Sequence, residues 1–206
     1  SEGKMTPRLF DRRKAPADKS NLCIMLLIDE SGSMGGSKEY CARQAAIGLA
    51  ETFGALKIPT AIMGFTADIG GYDVVQYHYL HWKNTLSDRY KLMQIKARAN
   101  NFDGYSIRYA TKLLAKRKEQ HKLFIILSDG QPACRYYYGA TGGIKDTTKA
   151  IQEAAKVADV IGVGIGLYDD SVLYSMYKEH FVSIKDVTQL YHQLSGVIKK
   201  KIKGWE

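Results

Sequence analysis

The chain has 206 residues, of which 45% are hydrophobic, and it carries a formal net charge of +9. That length and composition suit a single domain with a sizeable hydrophobic core. No uninterrupted apolar run approaches the roughly 20 residues of a membrane-spanning helix, so the sequence predicts no membrane span. The positive charge indicates an acidic partner or nucleic acid, or simply lysines solvated on helix surfaces. Apart from three short clusters, the basic residues are spread along the chain, which disfavours nucleic acid.

The cysteines and the start of the chain indicate where the protein resides and how it is divided. Cys23, Cys41 and Cys134 form no close pair and no metal-binding spacing, which is typical of the reducing cytoplasm. The first residues are polar and include two prolines and three successive basic residues. We therefore predict an N-terminal arm or linker over residues 1–21 and one folded domain over residues 22–206, as a module of a longer protein.

The first half of the chain predicts two buried strands, one helix and an edge strand. Leu22–Ile28 is entirely apolar and predicts a strand buried on both faces. Ser37–Leu56 predicts a helix, because its apolar residues recur every three or four positions. A second buried strand is predicted at Thr60–Phe65. Val74–Tyr79 follows a Gly-Gly-Tyr-Asp turn and predicts an antiparallel strand at the edge of the sheet.

The second half continues the alternation of strands and helices. Further strands are predicted at Leu123–Leu127, Val160–Ile165 and Phe181–Val182. Further helices are predicted at Ser87–Ala97, Gly104–Lys116, Thr147–Ala158, Val172–Tyr177 and Val187–Ile202. A tyrosine- and glycine-rich loop is predicted before the helix that begins at Thr147. The fold class is therefore α/β, with a doubly wound, mostly parallel sheet, one antiparallel edge strand and helices on both faces.

Oxygen-bearing side chains follow two of the predicted strands. Asp29, Ser31 and Ser33 stand at alternate positions after the first strand, and Asp129 follows the strand at Leu123–Leu127. Carboxylate and hydroxyl oxygens are the ligands that hard cations such as Mg²⁺ and Ca²⁺ prefer. In open parallel sheets, ligands bind outside the carboxyl ends of the strands, where the strand order reverses. If these two strands are neighbours at that point, both acids face one crevice.

Each of these pieces also has a simpler explanation. The Asp29–Ser33 stretch could cap the following helix, and Asp103 could be the N-cap of the helix predicted at Gly104. Asp129 could belong to an ordinary Ser-Asp-Gly turn. The combination of all three, each on a loop at the end of an element, favours a metal site with an open coordination position.

The combination resembles a von Willebrand factor A domain over residues 22–202. These domains carry a metal-ion-dependent adhesion site built from Asp-x-Ser-x-Ser, a Thr on a second loop and an Asp on a third. The Asp29–Ser33 stretch matches the first part and Asp129 matches the third. The second loop departs from the pattern, because Asn101 stands where the Thr is expected and Asp103 follows two residues later.

A narrower resemblance is to the C-terminal domain of the cobalt-chelatase accessory subunit and to the nitric oxide reductase activation proteins. In that group, Asn and Asp usually replace the Thr, so the departure on the second loop agrees with it. The segments that carry the resemblance are Leu26–Met34, Gly64–Thr66, Asn101–Arg108, Ile126–Pro132 and Ile161–Gly166.

The resemblance implies a non-catalytic module that binds a Glu or Asp of a protein partner through Mg²⁺, with Mn²⁺ or Ca²⁺ as alternatives. The partner would be a ring-shaped ATPase of the chaperone-like class, in a metallochelatase or metalloenzyme-activation system. We predict Met34, Tyr136 and Tyr137 at the rim of the site. For the two tyrosines the reason is that tyrosine is enriched at interfaces, and loop padding is an open alternative.

Two other functions stay open at this point. One is a Mg²⁺-dependent hydrolase, in which the ion activates water; it is disfavoured because the sequence places no His or Lys base in the loops near the acids. The other is a nucleic-acid-binding domain that uses the basic clusters.

Overall fold

The structure is a computed structural model that describes residues 21–68, 73–130, 132 and 135–205, without the side chains of residues 135–141. The N-terminal arm predicted over residues 1–21 lies outside this description except for its last residue, and Cys134 lies outside it as well. Six strands form one sheet in the order β3-β2-β1-β4-β5-β6. They are β1 (Leu22–Asp29), β2 (Thr60–Ala67), β3 (Val74–Leu80), β4 (His121–Ser128), β5 (Asp159–Ile165) and β6 (Phe181–Ile184).

In the described part of the chain, five α-helices accompany the sheet. They are α1 (Ser37–Ala55), α2 (Asp103–Ala115), α3 (Arg135–Ala155), α4 (Ser171–Tyr177) and α5 (Leu190–Lys203). Short 3-10 helices cover Gly32–Met34, Ser87–Gln94, Lys178–His180 and Val187–Gln189. No helix in the described part of the chain is both long and apolar enough to cross a membrane.

The strand directions confirm the predicted doubly wound sheet. β1 pairs in parallel with β2 and β4, β4 with β5, and β5 with β6, whereas β2 and β3 are antiparallel. The chain runs from β1 outward to β2 and β3 and then returns to β4 on the other side of β1. The strand order therefore reverses between β1 and β4, as the sequence analysis required for Asp29 and Asp129 to share a crevice.

The core has two layers, one on each face of the sheet, because successive side chains of a strand point to opposite faces. Ile24, Leu26 and Ile28 of β1 pack with residues of α1 and α5. Cys23 and Met25 of the same strand pack with residues of α2, α3 and α4. Strands that are buried on both faces read as continuous apolar runs, which is why their positions could be predicted from the sequence.

Two predicted elements differ from the structure. The predicted helix at Ser87–Ala97 is a 3-10 helix over Ser87–Gln94. The predicted tyrosine- and glycine-rich loop is also wrong, because α3 begins at Arg135 and includes Tyr136 and Tyr137. Glycine costs about 1 kcal/mol relative to alanine in a helix, which made this segment look like a loop. The rest of α3 buries Ala150, Ile151 and Ala154 against the sheet and α2, and this packing overrides the local preference.

Candidate metal centre

The first loop of the candidate site leaves β1 at its carboxyl end. Asp29, the last residue of β1, is only 1% exposed, and its Oδ1 accepts a hydrogen bond from the backbone N–H of Ser31 at 2.8 Å. A 3-10 turn over Gly32–Met34 follows, and Gly36 adopts a φ of +81°, which a residue with a Cβ rarely adopts. The chain thereby turns over Asp29 and enters α1.

Hydroxyl groups join this loop to the loop after β4. The Oγ atoms of Ser31 and Ser33 are 3.1 Å apart, and the Ser33 hydroxyl donates to Oδ1 of Asp129 at 2.7 Å. In the opposite direction, the Ser128 hydroxyl donates to Oδ2 of Asp29 at 3.0 Å. Asp29 and Asp129 therefore lie at one site, and the hydroxyls of Ser31 and Ser33 lie there with them.

The second loop brings two more of the predicted residues to the same place. The side-chain amide of Asn101 donates to Oδ2 of Asp29 at 3.4 Å, and Asn101 is 2% exposed. Asp103 is the first residue of α2 and is 3% exposed. Its Oδ2 atom is buried and has no hydrogen-bond partner among the described residues. A buried carboxylate oxygen without a partner is costly, and a bound cation would remove that cost.

Burial and neighbouring negative charge raise the pKa of Asp29 and of Asp103. Burial, followed by the nearby charge of Asp129, raises the pKa of Asp29 to about 6, although hydrogen bonds from Ser31 and Ser128 oppose the shift. Burial, with the charges of Asp29 and Asp129, raises the pKa of Asp103 well above its usual range. Both shifts have the same origin, since a dry site that concentrates negative charge disfavours ionised carboxylates.

A buried ion pair fixes the second loop against the end of β1. Glu30 is 1% exposed, and it accepts hydrogen bonds from Arg98 Nε and from the Tyr79 hydroxyl, both at 2.6 Å. The backbone N–H of Arg98 donates to the Glu30 carbonyl at 2.7 Å, and its guanidinium lies over the Tyr77 ring at 3.8 Å. The segment that leads into Asn101 is thus held in place. Neither Glu30 nor Arg98 was among the residues predicted for the site.

Lys38, in the first turn of α1, also reaches the site. Its ammonium group forms an ion pair with Asp129 and donates to the backbone carbonyl of Ser33 at 3.2 Å. The sequence predicted no His or Lys base in the loops near the acids, and Lys38 reaches Asp129 from the helix α1 instead. The position of Lys38 in the sequence could have indicated this contact. Long side chains on a helix lean toward its N-terminus, which here means toward the loop that contains Ser33.

The predicted rim needs one correction. The side chain of Met34 is 1% exposed and packs in the core layer beneath α1, so it cannot contact a partner. The side chains of Tyr136 and Tyr137 lie outside the described residues, and their place at the rim stays a prediction. Two tyrosines that the sequence analysis did not select are exposed near this edge of the sheet: Tyr105 in the first turn of α2 and Tyr168 after β5.

The chemistry of the site fits a hard divalent cation. Among the described residues, no three His, Cys, Asp or Glu side chains form a ready ligand cluster by themselves. Ligation would therefore need the hydroxyls of Ser31 and Ser33 as well as the acids, in an all-oxygen set. Such a set is typical of Mg²⁺ or Ca²⁺ rather than of Zn²⁺. The unpartnered oxygen of Asp103 and the raised pKa of Asp29 both indicate a site that is short of positive charge.

The fold is that of a von Willebrand factor A domain, as three solved structures show. The pilus adhesin SpaC from Lactobacillus rhamnosus GG, in its open conformation, matches with a TM-score of 0.71 at 16% identity, covering 90% of this chain and 30% of that chain. The vWF domain of the type V pili tip protein Mfa5 from Porphyromonas gingivalis has a TM-score of 0.69 at 11% identity, covering 91% and 97%. A von Willebrand factor type A structure from Catenulispora acidiphila has a TM-score of 0.62 at 17% identity, covering 84% and 41%. At these identities the likeness shows the fold alone.

Within that class, the chain belongs to the family described as the cobalamin biosynthesis protein CobT VWA domain, which matches residues 10–80 and 81–202. The uncharacterized protein YojO of Bacillus subtilis (strain 168) is 29% identical over 209 residues, covering 94% of this chain. The match covers 32% of that protein, so the chain spans about a third of its length. The resemblance to the cobalt-chelatase accessory domain is thereby confirmed at the level of the family.

Proposed function

We propose that this domain is a non-catalytic, metal-dependent protein-binding module. The observation that carries the proposal is the unpartnered Oδ2 of the buried Asp103, beside Asp29 and Asp129 at the point where the strand order reverses. Such a concentration of buried carboxylates is costly unless protons neutralise it or a cation compensates it. Magnesium is the proposed cation, with Mn²⁺ or Ca²⁺ as alternatives.

The residues of the proposed site divide into three groups. Asp29, Ser31 and Ser33 would hold the ion from the first loop, and Asp129 from the third. Asn101 or Asp103 would complete the set from the second loop. When bound, the ion supplies a Lewis-acidic position that a carboxylate oxygen can occupy. A Glu or Asp of a partner protein is the proposed ligand for it.

The proposed partner is a ring-shaped ATPase of the chaperone-like class, with this chain as part of an accessory subunit in a metallochelatase or metalloenzyme-activation system. Membership of the CobT family supports this assignment. A cytoplasmic location is proposed with it. Cys23 and Cys41 are free, and burial raises the pKa of Cys23 to about 11, which suits an inert thiol in a reducing compartment.

Calorimetric titration with MgCl₂ and MnCl₂ tests the proposal, together with thermal unfolding in Mg²⁺ and in EDTA. The wild-type domain should bind one divalent ion and unfold at a higher temperature with it, because a ligand that binds only the folded state stabilises it. Asp29→Ala should abolish both effects. Asp169→Ala is the matched control, because Asp169 follows β5 at the same edge of the sheet and its carboxylate accepts a hydrogen bond from the N–H of Ser171.

A wild-type protein that shows no heat and no thermal shift at millimolar Mg²⁺, Mn²⁺ or Ca²⁺ would overturn the proposal. Metal-dependent phosphoester hydrolysis above background, lost in Asp29→Asn, would instead support the hydrolase alternative.

A further inference from the structure

Lys38 places a positive charge at the mouth of the candidate metal centre. Its side chain is 27% exposed, while that of its ion-pair partner Asp129 is 1% exposed. The stem of Lys38 passes beside Gly166, where an added Cβ would lie 3.3 Å from Lys38 Cε. The loops after β1 and β4 therefore hold the ammonium group, the loop after β5 lies beside the stem, and the side chain is still partly open to solvent.

The hydrogen-bonding capacity of Lys38 is not exhausted. An ammonium group has three N–H donors. One is used by Asp129 and one by the carbonyl of Ser33, and the third has no acceptor among the residues that the structure describes. A donor is thus left for a group that arrives from outside.

The charges of the site favour a carboxylate as that group. Asp29, Asp103 and Asp129 contribute three negative charges when ionised, and Lys38 with a divalent cation offsets all three. A carboxylate that approaches the loaded site therefore meets no net repulsion, and it meets two local positive charges. A carboxylate also has two oxygens, whereas an amide has one oxygen and a nitrogen that carries hydrogens and cannot accept.

We propose that Lys38 is a specificity-determining residue that donates a hydrogen bond to the partner's carboxylate, at the oxygen that the metal does not take. This inference rests on the proposed function. It makes Lys38 the reason that the site selects Glu or Asp over Gln or Asn. The same ammonium group competes with the metal for Asp129, so its loss should weaken carboxylate binding without weakening metal binding.

The test compares wild-type protein with Lys38→Met, which keeps the length of the stem and removes the charge. Metal affinity is measured by calorimetry with MgCl₂. Sodium acetate and acetamide are then titrated into the Mg²⁺-loaded proteins, and binding is followed by the amide resonances of the loops around the site. Lys199→Met is the control, because Lys199 lies near the end of α5, far from the site. There Trp205 stacks on His121, the first residue of β4, whereas the site lies beyond the last residues of the parallel strands.

Wild type and Lys199→Met should bind acetate in a Mg²⁺-dependent way and prefer it to acetamide. Lys38→Met should bind acetate about ten-fold more weakly, which is the size of one hydrogen bond to a charged group, and lose most of the preference over acetamide. Its affinity for Mg²⁺ should be equal to that of the wild type or higher. A residue with only a structural role would lower both affinities when removed.

Unchanged acetate affinity in Lys38→Met would overturn the assignment of Lys38 and leave the metal-binding proposal standing. A parallel loss of Mg²⁺ and acetate binding would also overturn it, because it would show a structural role. If the wild type itself binds no divalent ion, the proposed function fails, and the assignment of Lys38 fails with it.

Discussion

Ser33 and Asp129 are 96 positions apart in the chain, and the hydroxyl of Ser33 donates a 2.7 Å hydrogen bond to the carboxylate of Asp129. The bond connects the loop after β1 to the loop after β4, across the point where the strand order of the sheet reverses. Two motifs that are separate in sequence thus become one site. Four predictions concern this site and the sheet that positions it.

Asp103→Asn should make the metal-free domain more stable. The Oδ2 of Asp103 is buried without a partner, and its pKa is raised by burial and by the two neighbouring acids, so its charge is unfavourable in the folded state. We expect a gain of about 1–3 kcal/mol in EDTA at neutral pH, from removal of a buried, uncompensated charge. The same variant should lose affinity for Mg²⁺. Urea unfolding with EDTA and calorimetry measure the two effects, and a loss of stability in EDTA would contradict this account.

Asp29 predicts a pH dependence of the metal-free protein. Its folded pKa is raised to about 6 from 3.8. A group with a raised folded pKa contributes its stability below the unfolded pKa and loses it as the pH rises through the folded value. In EDTA, wild-type stability relative to Asp29→Asn should therefore fall between about pH 4 and pH 7.

In Mg²⁺, the wild-type protein should be more stable than Asp29→Asn at neutral pH, since the ion favours the ionised carboxylate. Urea unfolding at several pH values provides the measurement. The slope with pH is the readout rather than the absolute stability, because asparagine keeps only one of the two oxygens that accept hydrogen bonds from Ser31 and Ser128. Equal slopes for the two proteins in EDTA would show that Asp29 is not the titrating group.

Arg98→Met should destabilise the domain and weaken the metal site. Glu30 would be left buried at 1% exposure without its cation, and breaking a buried pair typically costs about 3–5 kcal/mol. The double variant with Glu30→Gln should cost less than the sum of the two single variants. Mg²⁺ affinity should fall as well, because the guanidinium of Arg98, through Glu30 and the Tyr77 ring, helps to anchor the segment that leads into Asn101.

Glu51→Gln is the control for Arg98→Met. It breaks the pair of Glu51 with Arg89 at 2.6 Å, in which Glu51 is 55% exposed, and it should cost less than about 1 kcal/mol without changing Mg²⁺ binding. If both substitutions cost the same, the Glu30–Arg98 pair has no special role at this edge of the sheet.

Gly162→Ala should destabilise the sheet. A Cβ at this position in β5 would lie 2.2 Å from the ring of Tyr177, which is fully buried. Overpacking of a core costs about 1–3 kcal/mol, and urea unfolding would measure it. Gly196→Ala in α5 meets nothing within 4 Å and should stabilise by about 0.5–1 kcal/mol. A neutral Gly162→Ala would mean that Tyr177 can move away at little cost.

Much of the fold could be predicted from local patterns. The inner strands β1, β2, β4 and β5 are buried on both faces, so their apolar runs stand out against the amphipathic helices. The start of α3 was missed because glycines and tyrosines near its N-terminus favour a loop, while the packing of its later turns lies beyond any local window. The burial of Met34 was missed for a related reason, since a 3-10 turn directs its side chain into the core.

The residue types and their spacing by themselves determined that Asp29, Ser31 and Ser33 follow a buried strand and that Asp129 follows another. That was possible because a strand's hydrophobic run and the polar residues at its end are adjacent in the chain. Only the tertiary structure decided that β1 and β4 are neighbours, that Asp103 is left without a partner, and that Lys38 is paired with Asp129. Those relationships depend on the crossover connections and on packing between distant residues, which local sequence does not encode.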